Sequence, residues 1–338
     1  MVFDFASRLK KLQKSLGKSK ADCVVFGGFS NVDSNAYYYS GDLSAPNVLV
    51  VTPDYAAIFS SAGGFDFFDE GFSLKDFRKN LFILLKKLKA KRIGVDEYSD
   101  SARIAFKLMQ QKYVVKPVAE VLSEQRLLKD PSEMRLLEKA QNTTKECVSS
   151  VRSQGFEGKT ENKIAGMVEF AAREKGVAAD AFPPIVACNE NAAIPHWIPS
   201  QKKFCRNDLL LIDAGVRCER YCGDFTHTFY DGSDKQLKDA VEAVEESKKA
   251  AVKKAKPGVT GKALSCLALL VLKEYGFEKS SFSQAGLSLG HFVGLDAHDG
   301  AKRWNDAVFK NGMAFTIEPG IYVPGKFGVR FEDVVLLK

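Results

Sequence analysis

The sequence predicts a protein of two α/β domains. Its 338 residues exceed the length of a typical single domain, and 45% hydrophobic with 27% charged residues is an ordinary composition for a folded globular protein. Predicted strands and helices alternate along the first part of the chain, whereas the second part contains a helix pair followed by a strand pair, twice in succession. We therefore expect an α/β domain over residues 1–122 and a pseudosymmetric α+β domain over residues 123–338.

The elements of the first domain are indicated by their hydrophobic periodicity. Strands are predicted at Cys23–Phe26, Val48–Thr52, Ala56–Phe59 and Ile93–Val95, and helices at Phe77–Leu88 and Ala102–Gln111. No glycine-rich phosphate motif interrupts this order, so the sequence reveals no chemistry in the first domain. The segment Val118–Asp130 is predicted to link it to the second domain.

A faint internal repeat supports the pseudosymmetry of the second domain. After a long predicted helix that contains Met134, a Gly-Lys-Thr tripeptide at 158–160 opens a helix that ends near Gly176. A Gly-Val-Thr tripeptide at 258–260 opens a similar helix that ends near Gly276. Both threonines are suited to cap a helix at its amino terminus, and both later glycines are suited to end it. A strand pair follows each helix pair, which predicts two related halves.

Four carboxylates lie in apolar strands that are marked by glycines. Each predicted hairpin contains two of them, Asp213 and Asp224 in the first and Glu318 and Glu332 in the second. An ionised carboxylate in an apolar strand costs several kcal/mol if it has no partner, and few basic residues interrupt these strands. Any one of the four alone could be a salt-bridged or turn residue, but the set requires a shared counter-charge.

The histidines complete this pattern. The chain has four of them, and all lie in the second domain. His291 and His298 share a glycine-flanked segment, while His196 lies in a loop before the first acidic strand. Four carboxylates and one imidazole are ligands that suit two adjacent divalent cations. We therefore expect a dinuclear metal site, with other histidines handling protons or stabilising an oxyanion.

These segments resemble the signature blocks of the pita-bread metallopeptidases, the superfamily of prolidase, aminopeptidase P and methionine aminopeptidase. The blocks agree in order and spacing and lie at 212–215, 223–226, 290–299, 316–320 and 330–333. Upstream, residues 35–41 and 47–51 are similar to the amino-terminal domain that prolidase and aminopeptidase P carry. The resemblance implies a creatinase/prolidase-like α/β domain over 1–122 and a catalytic pita-bread domain over 123–338.

The resemblance also assigns the metal ligands. Asp213 is expected to chelate one ion and His291 with Glu318 the other, while Asp224 and Glu332 bridge the two. Manganese, cobalt and zinc all tolerate such a ligand set, so the implied cofactor is two divalent ions of one of these metals.

The catalytic residues implied by the resemblance are Glu318, His298 and His196. Glu318 is expected to accept a proton from the attacking water, and the two histidines to stabilise the oxyanion or hold the substrate's main chain. The implied enzyme is a homodimeric metallopeptidase that cleaves small peptides with proline at the second position, first of all a Xaa-Pro dipeptidase. A Xaa-Pro aminopeptidase and a non-catalytic binding protein of the same fold are alternatives, and the presence of all five ligands favours an enzyme.

Some positions depart from the family pattern. Leu287 stands where many prolidases and aminopeptidases P have a further histidine, and His227 stands where an arginine often braces the carboxylates. The family's prolidases often have an arginine four residues beyond the histidine that corresponds to His298, whereas this chain has Lys302 and then Arg303. If the side chains of these two residues point toward the metal site, they could bind the carboxylate of a dipeptide substrate.

Charge and cysteine content indicate which partners and which compartment to expect. The net charge is +7, and its densest sources are lysine-rich runs at 86–92 and 248–254, which are typical of solvated helix faces and not of a nucleic-acid surface. Seven cysteines without CxxC pairs, and no signal peptide or membrane-length apolar run, predict a cytoplasmic protein that binds neither membrane nor nucleic acid. Cys218 and Cys222 are expected to be small buried residues, not soft-metal ligands.

Overall fold

The fold is that of a computed structural model, in which residues 3–17, 19–29, 31–62, 65–100, 102–177, 180–300 and 302–338 are described. The chain divides into two compact units, Met1–Arg126 and Leu127–Lys338. The predicted linker Val118–Asp130 is largely helical, because it contains an α-helix at Ala119–Ser123 and a 3-10 helix at Glu124–Leu127.

The first unit is a mixed sheet with helices. Its strands are Cys23–Gly28 (β1), Asn47–Val51 (β2), Ala56–Ser60 (β3), Glu70–Phe72 (β4), Arg92–Val95 (β5) and Val114–Pro117 (β6). Its helices are Phe5–Leu16 (α1), Ser34–Ser40 (α2), Phe77–Lys87 (α3), Ala102–Gln110 (α4) and Ala119–Ser123 (α5). The strand order is β4-β3-β2-β1-β5-β6, in which β1 pairs antiparallel with β2 and parallel with β5. The strands and helices predicted for this part of the chain are confirmed to within two residues.

The second unit repeats a helix pair and a set of strands. Its helices are Pro131–Ser153 (α6), Glu161–Glu174 (α7), Lys235–Lys254 (α8) and Gly261–Glu274 (α9). The strands of its first half are Asp180–Cys188 (β7), Leu210–Cys218 (β8), Tyr221–Cys222 (β9) and Phe225–Phe229 (β10). Those of its second half are Ala314–Ile317 (β11), Gly320–Val323 (β12), Phe327–Arg330 (β13) and Asp333–Leu336 (β14). Short 3-10 helices occur at Asn189–Ala193, Glu278–Ser280 and Trp304–Asp306.

Local sequence explains where the helices of this unit begin. Asp130 caps α6 in a reciprocal capping box with Glu133, and Pro131 occupies the first turn, where its missing N–H is not needed. Thr160 and Thr260 cap α7 and α9 through hydrogen bonds of 3.1 Å to the backbone N–H three residues on. Both threonine caps are therefore as the sequence predicts.

In both halves, the residues that precede the second helix make the same backbone contacts. Gly158 donates to the carbonyl of Phe204, and Gly258 donates to that of Phe309, each at 2.9 Å. Thr160 forms a β-bridge with Lys203, and Thr260 forms one with Val308. The predicted internal repeat is therefore confirmed by matching hydrogen bonds.

The strand pairs form the hairpins that the sequence indicates. β8 pairs with β7, β9 and β10, so Asp213 lies in the middle of a three-stranded arrangement and faces Thr226 across the β8–β10 ladder. β11 pairs with β14 and β12 with β13, so the second hairpin splits into two ladders with Glu318 and Glu332 at the breaks. No described helix is long and apolar enough to cross a membrane.

Candidate metal centre

All seven residues predicted for the site line one cavity of about 440 Å³ in the second unit. They are His196, Asp213, Asp224, His291, His298, Glu318 and Glu332. The cavity wall is completed by an apolar side that includes Phe182, Pro183, Pro184, Trp197 and Leu287. The structure thus brings together residues that are widely separated in the sequence, in a concave space of the size that small ligands occupy.

The hairpins explain how the carboxylates meet. Asp213 lies within β8, whereas Asp224, Glu318 and Glu332 occupy the short breaks between consecutive strands, β9–β10, β11–β12 and β13–β14. At such breaks the backbone leaves the ladder, which allows a side chain to turn from the strand face toward the cavity. Asp213, Asp224 and Glu332 are at most 7% exposed. Three carboxylates are therefore withdrawn from water in one place.

His291 presents one ring nitrogen to this cluster. Its Nε2 lies 3.4 Å from Glu318 Oε1, 3.5 Å from Asp224 Oδ2 and 3.9 Å from Glu332 Oε1. Its Nδ1 lies 3.2 Å from the carbonyl oxygen of Phe292. A proton on Nδ1 satisfies that carbonyl and leaves the Nε2 lone pair facing the carboxylates, which is the tautomer a metal ligand needs.

Two buried carboxylate oxygens have no hydrogen-bond partner among the described residues. They are Asp213 Oδ1 and Glu332 Oε1. The second oxygen of each is satisfied, because Arg330 donates to Asp213 Oδ2 at 2.6 Å and Thr226 donates to Glu332 Oε2 at 2.7 Å. Unpaired buried oxygens are rare in folded proteins. Oxygens left free in this way fit a bound cation.

Electrostatics lead to the same conclusion. Burial and repulsion by neighbouring carboxylates raise the pKa of Asp224 and of Glu332 well above their ordinary values. Burial, with the charge of Asp213, raises the pKa of Glu318 to about 7, although Arg330 acts in the opposite direction. Burial lowers the pKa of His291, so its imidazole is neutral at neutral pH. Divalent cations would supply the positive charge that this cluster lacks. Asp224, His291 and Glu332 offer ligand atoms that all lie within 4.8 Å of one another.

The two remaining predicted residues face the same cavity from its sides. The ring of His298 stacks on His291, with centroids 3.8 Å apart and planes 11° from parallel. Burial and the neighbouring His291 lower the pKa of His298 to about 4, so it is a neutral hydrogen-bond donor near pH 7. His196 lies on an exposed loop between β7 and β8.

Sequence reasoning did not single out Arg330, which organises the carboxylates. Its side chain is buried and donates to Asp213, to the Tyr322 hydroxyl at 3.0 Å and to the Pro195 carbonyl at 3.2 Å. It also donates to the hydroxyl of Thr226 at 3.3 Å, the residue that holds Glu332. The signal was present in the sequence, since Arg330 opens the block that contains Glu332.

Of the two positions that depart from the family pattern near the metal ligands, one lies away from the cavity and the other lines it. His227 points away from the cavity into an aromatic cluster, with Phe229 and Phe331 at ring distances of 4.4 and 4.9 Å. The arginine that does contact the carboxylates is Arg330, which donates to Asp213. Leu287 lines the cavity, so the missing histidine makes this wall more apolar.

Of the two orientations that the sequence leaves open for Lys302 and Arg303, inward or solvated, the structure shows the solvated one. Both residues are exposed and neither lines the cavity. The Arg303 side chain is 86% exposed and lies 3.8 Å from Asp306 on the following 3-10 helix. The physical reason is the buried ion pair just before them, in which Asp299 turns inward to Lys129 at 2.9 Å. Cys218 and Cys222 are buried, as predicted, and neither lines the cavity.

A duplicated α+β domain with buried carboxylates and an imidazole around an open cavity defines a class, the metal-dependent hydrolases. The chain belongs to metallopeptidase family M24, whose sequence profile matches residues 135–338. The resemblance to the pita-bread peptidases and the two-domain α/β fold are thereby confirmed.

Three known proteins illustrate the similarity. A Xaa-Pro dipeptidase from Pyrococcus furiosus is 33% identical over 341 aligned residues, which cover 98% of this chain and 94% of the relative. The structure of a Xaa-Pro dipeptidase from Bacillus anthracis superposes with a TM-score of 0.89 at 23% identity, covering 99% of this chain and 95% of that one. The structure of an X-Pro aminopeptidase from Thermotoga maritima superposes with a TM-score of 0.83 at 28% identity, covering 98% and 95%.

Proposed function

We propose that the protein is a metal-dependent Xaa-Pro dipeptidase. The observation that carries the proposal is the convergence of Asp213, Asp224, His291, Glu318 and Glu332 on one cavity. The chain that forms this cavity is similar over 98% of its length to a Xaa-Pro dipeptidase. An apolar wall that includes Phe182, Pro183, Pro184 and Leu287 suits the ring of proline.

The five converging residues are proposed to hold two divalent ions, manganese, cobalt or zinc. Asp213 would bind one ion, His291 and Glu318 the other, and Asp224 and Glu332 both. When bound, such ions polarise a carbonyl group and lower the pKa of water. The unpaired oxygens of Asp213 and Glu332 support this assignment, since each has a free lone pair inside the cluster.

The remaining chemistry is proposed to come from side chains of this chain. Glu318 lines the cavity and its side chain is 21% exposed, so it is placed to accept a proton from the attacking water. His298 is neutral and can donate its N–H to the developing oxyanion. His196, on the opposite loop, would hold the main chain of the substrate.

One observation favours the alternative of a Xaa-Pro aminopeptidase. Among the described residues that line the cavity, Arg330 is the one lysine or arginine, and it is already paired with Asp213. A dipeptide brings its carboxylate close to the reaction centre, whereas a longer peptide carries it out of the cavity. A site without a free fixed cation would therefore tolerate longer peptides at least as well as dipeptides.

We also propose that the enzyme acts as a homodimer in a reducing cytoplasm. The support for the compartment is that all seven cysteines are free thiols, five of them buried.

The experiment that tests this function compares three substrate classes after complete chelation. Xaa-Pro dipeptides, longer peptides with proline second and methionyl peptides are each assayed in manganese, cobalt and zinc. The proposal expects no hydrolysis by the chelated protein and release of proline from Xaa-Pro dipeptides once a metal is added. Faster cleavage of the longer proline peptides would favour the aminopeptidase, and cleavage of methionyl peptides alone would refute both.

A further inference from the structure

A buried carboxylate outside the metal centre holds one wall of the cavity. Glu161, in the first turn of α7, is 0% exposed and accepts five hydrogen bonds. The donors are Cys188 N at 2.7 Å, Asn191 Nδ2 at 2.8 Å, Trp197 Nε1 at 2.9 Å, Ser200 N at 2.9 Å and Ser200 Oγ at 2.6 Å. Burial acts to raise the pKa of Glu161, but these hydrogen bonds lower it overall, so the group is a carboxylate near neutral pH.

Four of the five donors belong to the connection from β7 to β8, and the fifth is the backbone N–H of Cys188, the last residue of β7. Residues 195–199 of this connection line the cavity and include His196. Glu161 holds the segment from one side through Trp197 and Ser200, and Arg330 holds it from the other through the carbonyl of Pro195 at 3.2 Å. His196 therefore lies between two tethered neighbours, although it is itself exposed.

The second half of the unit shows that the fold does not require this carboxylate. At the equivalent position, Gly261 opens α9, and an added Cβ there would lie 2.2 Å from the carbonyl oxygen of Trp304. The indole of Trp304 donates to the hydroxyl of Ser265 at 3.3 Å, not to a carboxylate. Both halves thus dock a tryptophan against the helix start, but only the first half does so with a buried charge. Each connection carries a histidine that lines the cavity, His196 in the first half and His298 in the second, so the halves differ in how the neighbouring tryptophan is held.

We propose that Glu161 is a positioning residue that fixes the 195–199 wall, and with it His196, for binding of the substrate. Fixing a loop before the substrate arrives lowers the cost of binding, because the loop does not have to be ordered when the substrate binds. The inference rests on the proposed peptidase function for its kinetic readout.

The test begins with Glu161→Gln, because an amide has one acceptor oxygen and cannot accept all five bonds. We expect KM for an Xaa-Pro substrate to rise about tenfold, with kcat changed less than about threefold and the metal content unchanged. The matched control is Ser265→Ala, which removes the indole hydrogen bond of the other half and should leave KM and kcat unaltered. Loss of bound metal in Glu161→Gln, or an unchanged KM, would overturn the proposal.

A spectroscopic readout is independent of the activity. The chain has two tryptophans, so in a Trp304→Phe background the emission reports on Trp197 alone. Glu161→Gln should shift this emission and increase its quenching by acrylamide, because the indole loses its buried acceptor. An unshifted spectrum would show that the wall does not depend on Glu161. If the wild type cleaves no Xaa-Pro substrate, the proposed function fails while this measurement still decides the role of Glu161.

A double variant identifies the residue through which Glu161 acts. If Glu161 acts by positioning His196, it has little left to contribute once His196 is removed. The double variant Glu161→Gln with His196→Ala should then have a kcat/KM less than about threefold below that of His196→Ala alone. Independent, multiplicative losses would contradict the proposal. Should Glu161→Gln fail to fold, Ser200→Ala removes one of the five bonds and should cause a smaller rise in KM with the same dependence on His196; no such rise would count against the proposal.

Discussion

His298 is the residue whose proposed role depends most on its orientation. It stacks on His291, faces the cavity and is neutral near pH 7, so it can donate a hydrogen bond without being a ligand. We expect His298→Ala to keep the bound metal and to lower the rate on Xaa-Pro substrates by about two to three orders of magnitude. Steady-state kinetics with elemental analysis checks this. Unchanged kinetics would remove His298 from the catalytic residues.

His227 offers a contrast, because its ring is enclosed by phenylalanines away from the site. Burial, with the positive charges of Lys248 and Arg152, lowers the pKa of His227 to about 4 from its ordinary value of 6.5. The unfolded chain therefore gains a proton near pH 6.5 while the folded chain does not, so stability falls as the pH decreases from about 6.5 to about 4.

Replacing this histidine with an uncharged ring should remove that pH dependence. We expect the free energy of unfolding of His227→Phe minus that of the wild type to be larger at about pH 5 than at about pH 7.5, because the variant does not lose stability through this histidine. Urea denaturation at the two pH values measures the difference. If the difference in stability between His227→Phe and the wild type is the same at both pH values, then His227 is protonated at pH 5 in the folded protein as it is in the unfolded chain. Activity should be retained, since His227 does not line the cavity.

At the scale of elements, the start of α6 is tied to the segment that carries His298. Lys129 and Asp299 are each 1% exposed in their side chains and lie 2.9 Å apart. Removing one partner leaves a buried charge uncompensated, so Lys129→Met should destabilise the fold by about 3 to 5 kcal/mol. Adding Asp299→Asn should recover part of that loss. Chemical denaturation checks both, and a double variant less stable than Lys129→Met would contradict the account.

The segment after this ion pair gives a second prediction. Because Lys302 and Arg303 are exposed, replacing both with glutamine should change KM for Xaa-Pro dipeptides less than about twofold. The same variant should behave identically on tripeptides. A selective rise in KM for dipeptides would show that these side chains reach the substrate after all.

The sequence predicts features that depend on neighbouring residues of one element, and it does not predict those that depend on packing between distant residues. Hydrophobic periodicity predicted β1, β2, β3 and β5, and threonine caps predicted the starts of α7 and α9, because these features depend on neighbouring residues. The orientation of Arg303 and the helical linker could not be predicted in this way. The inward turn of Asp299 just before Arg303, for example, depends on Lys129, which lies 170 positions away in the sequence.

For the whole molecule, duplication explains how the site forms. Asp213 lies within β8 and Glu318 directly follows β11, the corresponding strands of the two halves, and Asp224 and Glu332 directly precede the return strands β10 and β14. Pairing two such halves brings four carboxylates to a common centre, which the repeat and the spacing of acidic residues predicted. The sequence could not predict the contacts of Glu161 and Arg330, because their partners lie on both sides of the cavity.

The metal content of a ligand variant tests the central claim most directly. Glu332 is proposed to bind both ions, and its Oε1 is buried without a hydrogen-bond partner among the described residues. After chelation and re-addition of manganese, the wild type and the surface control Glu138→Ala should bind two ions per chain and hydrolyse Xaa-Pro dipeptides. Glu332→Ala should bind at most one ion and lose nearly all turnover. Two tightly bound ions in Glu332→Ala would contradict the assignment of the metal centre.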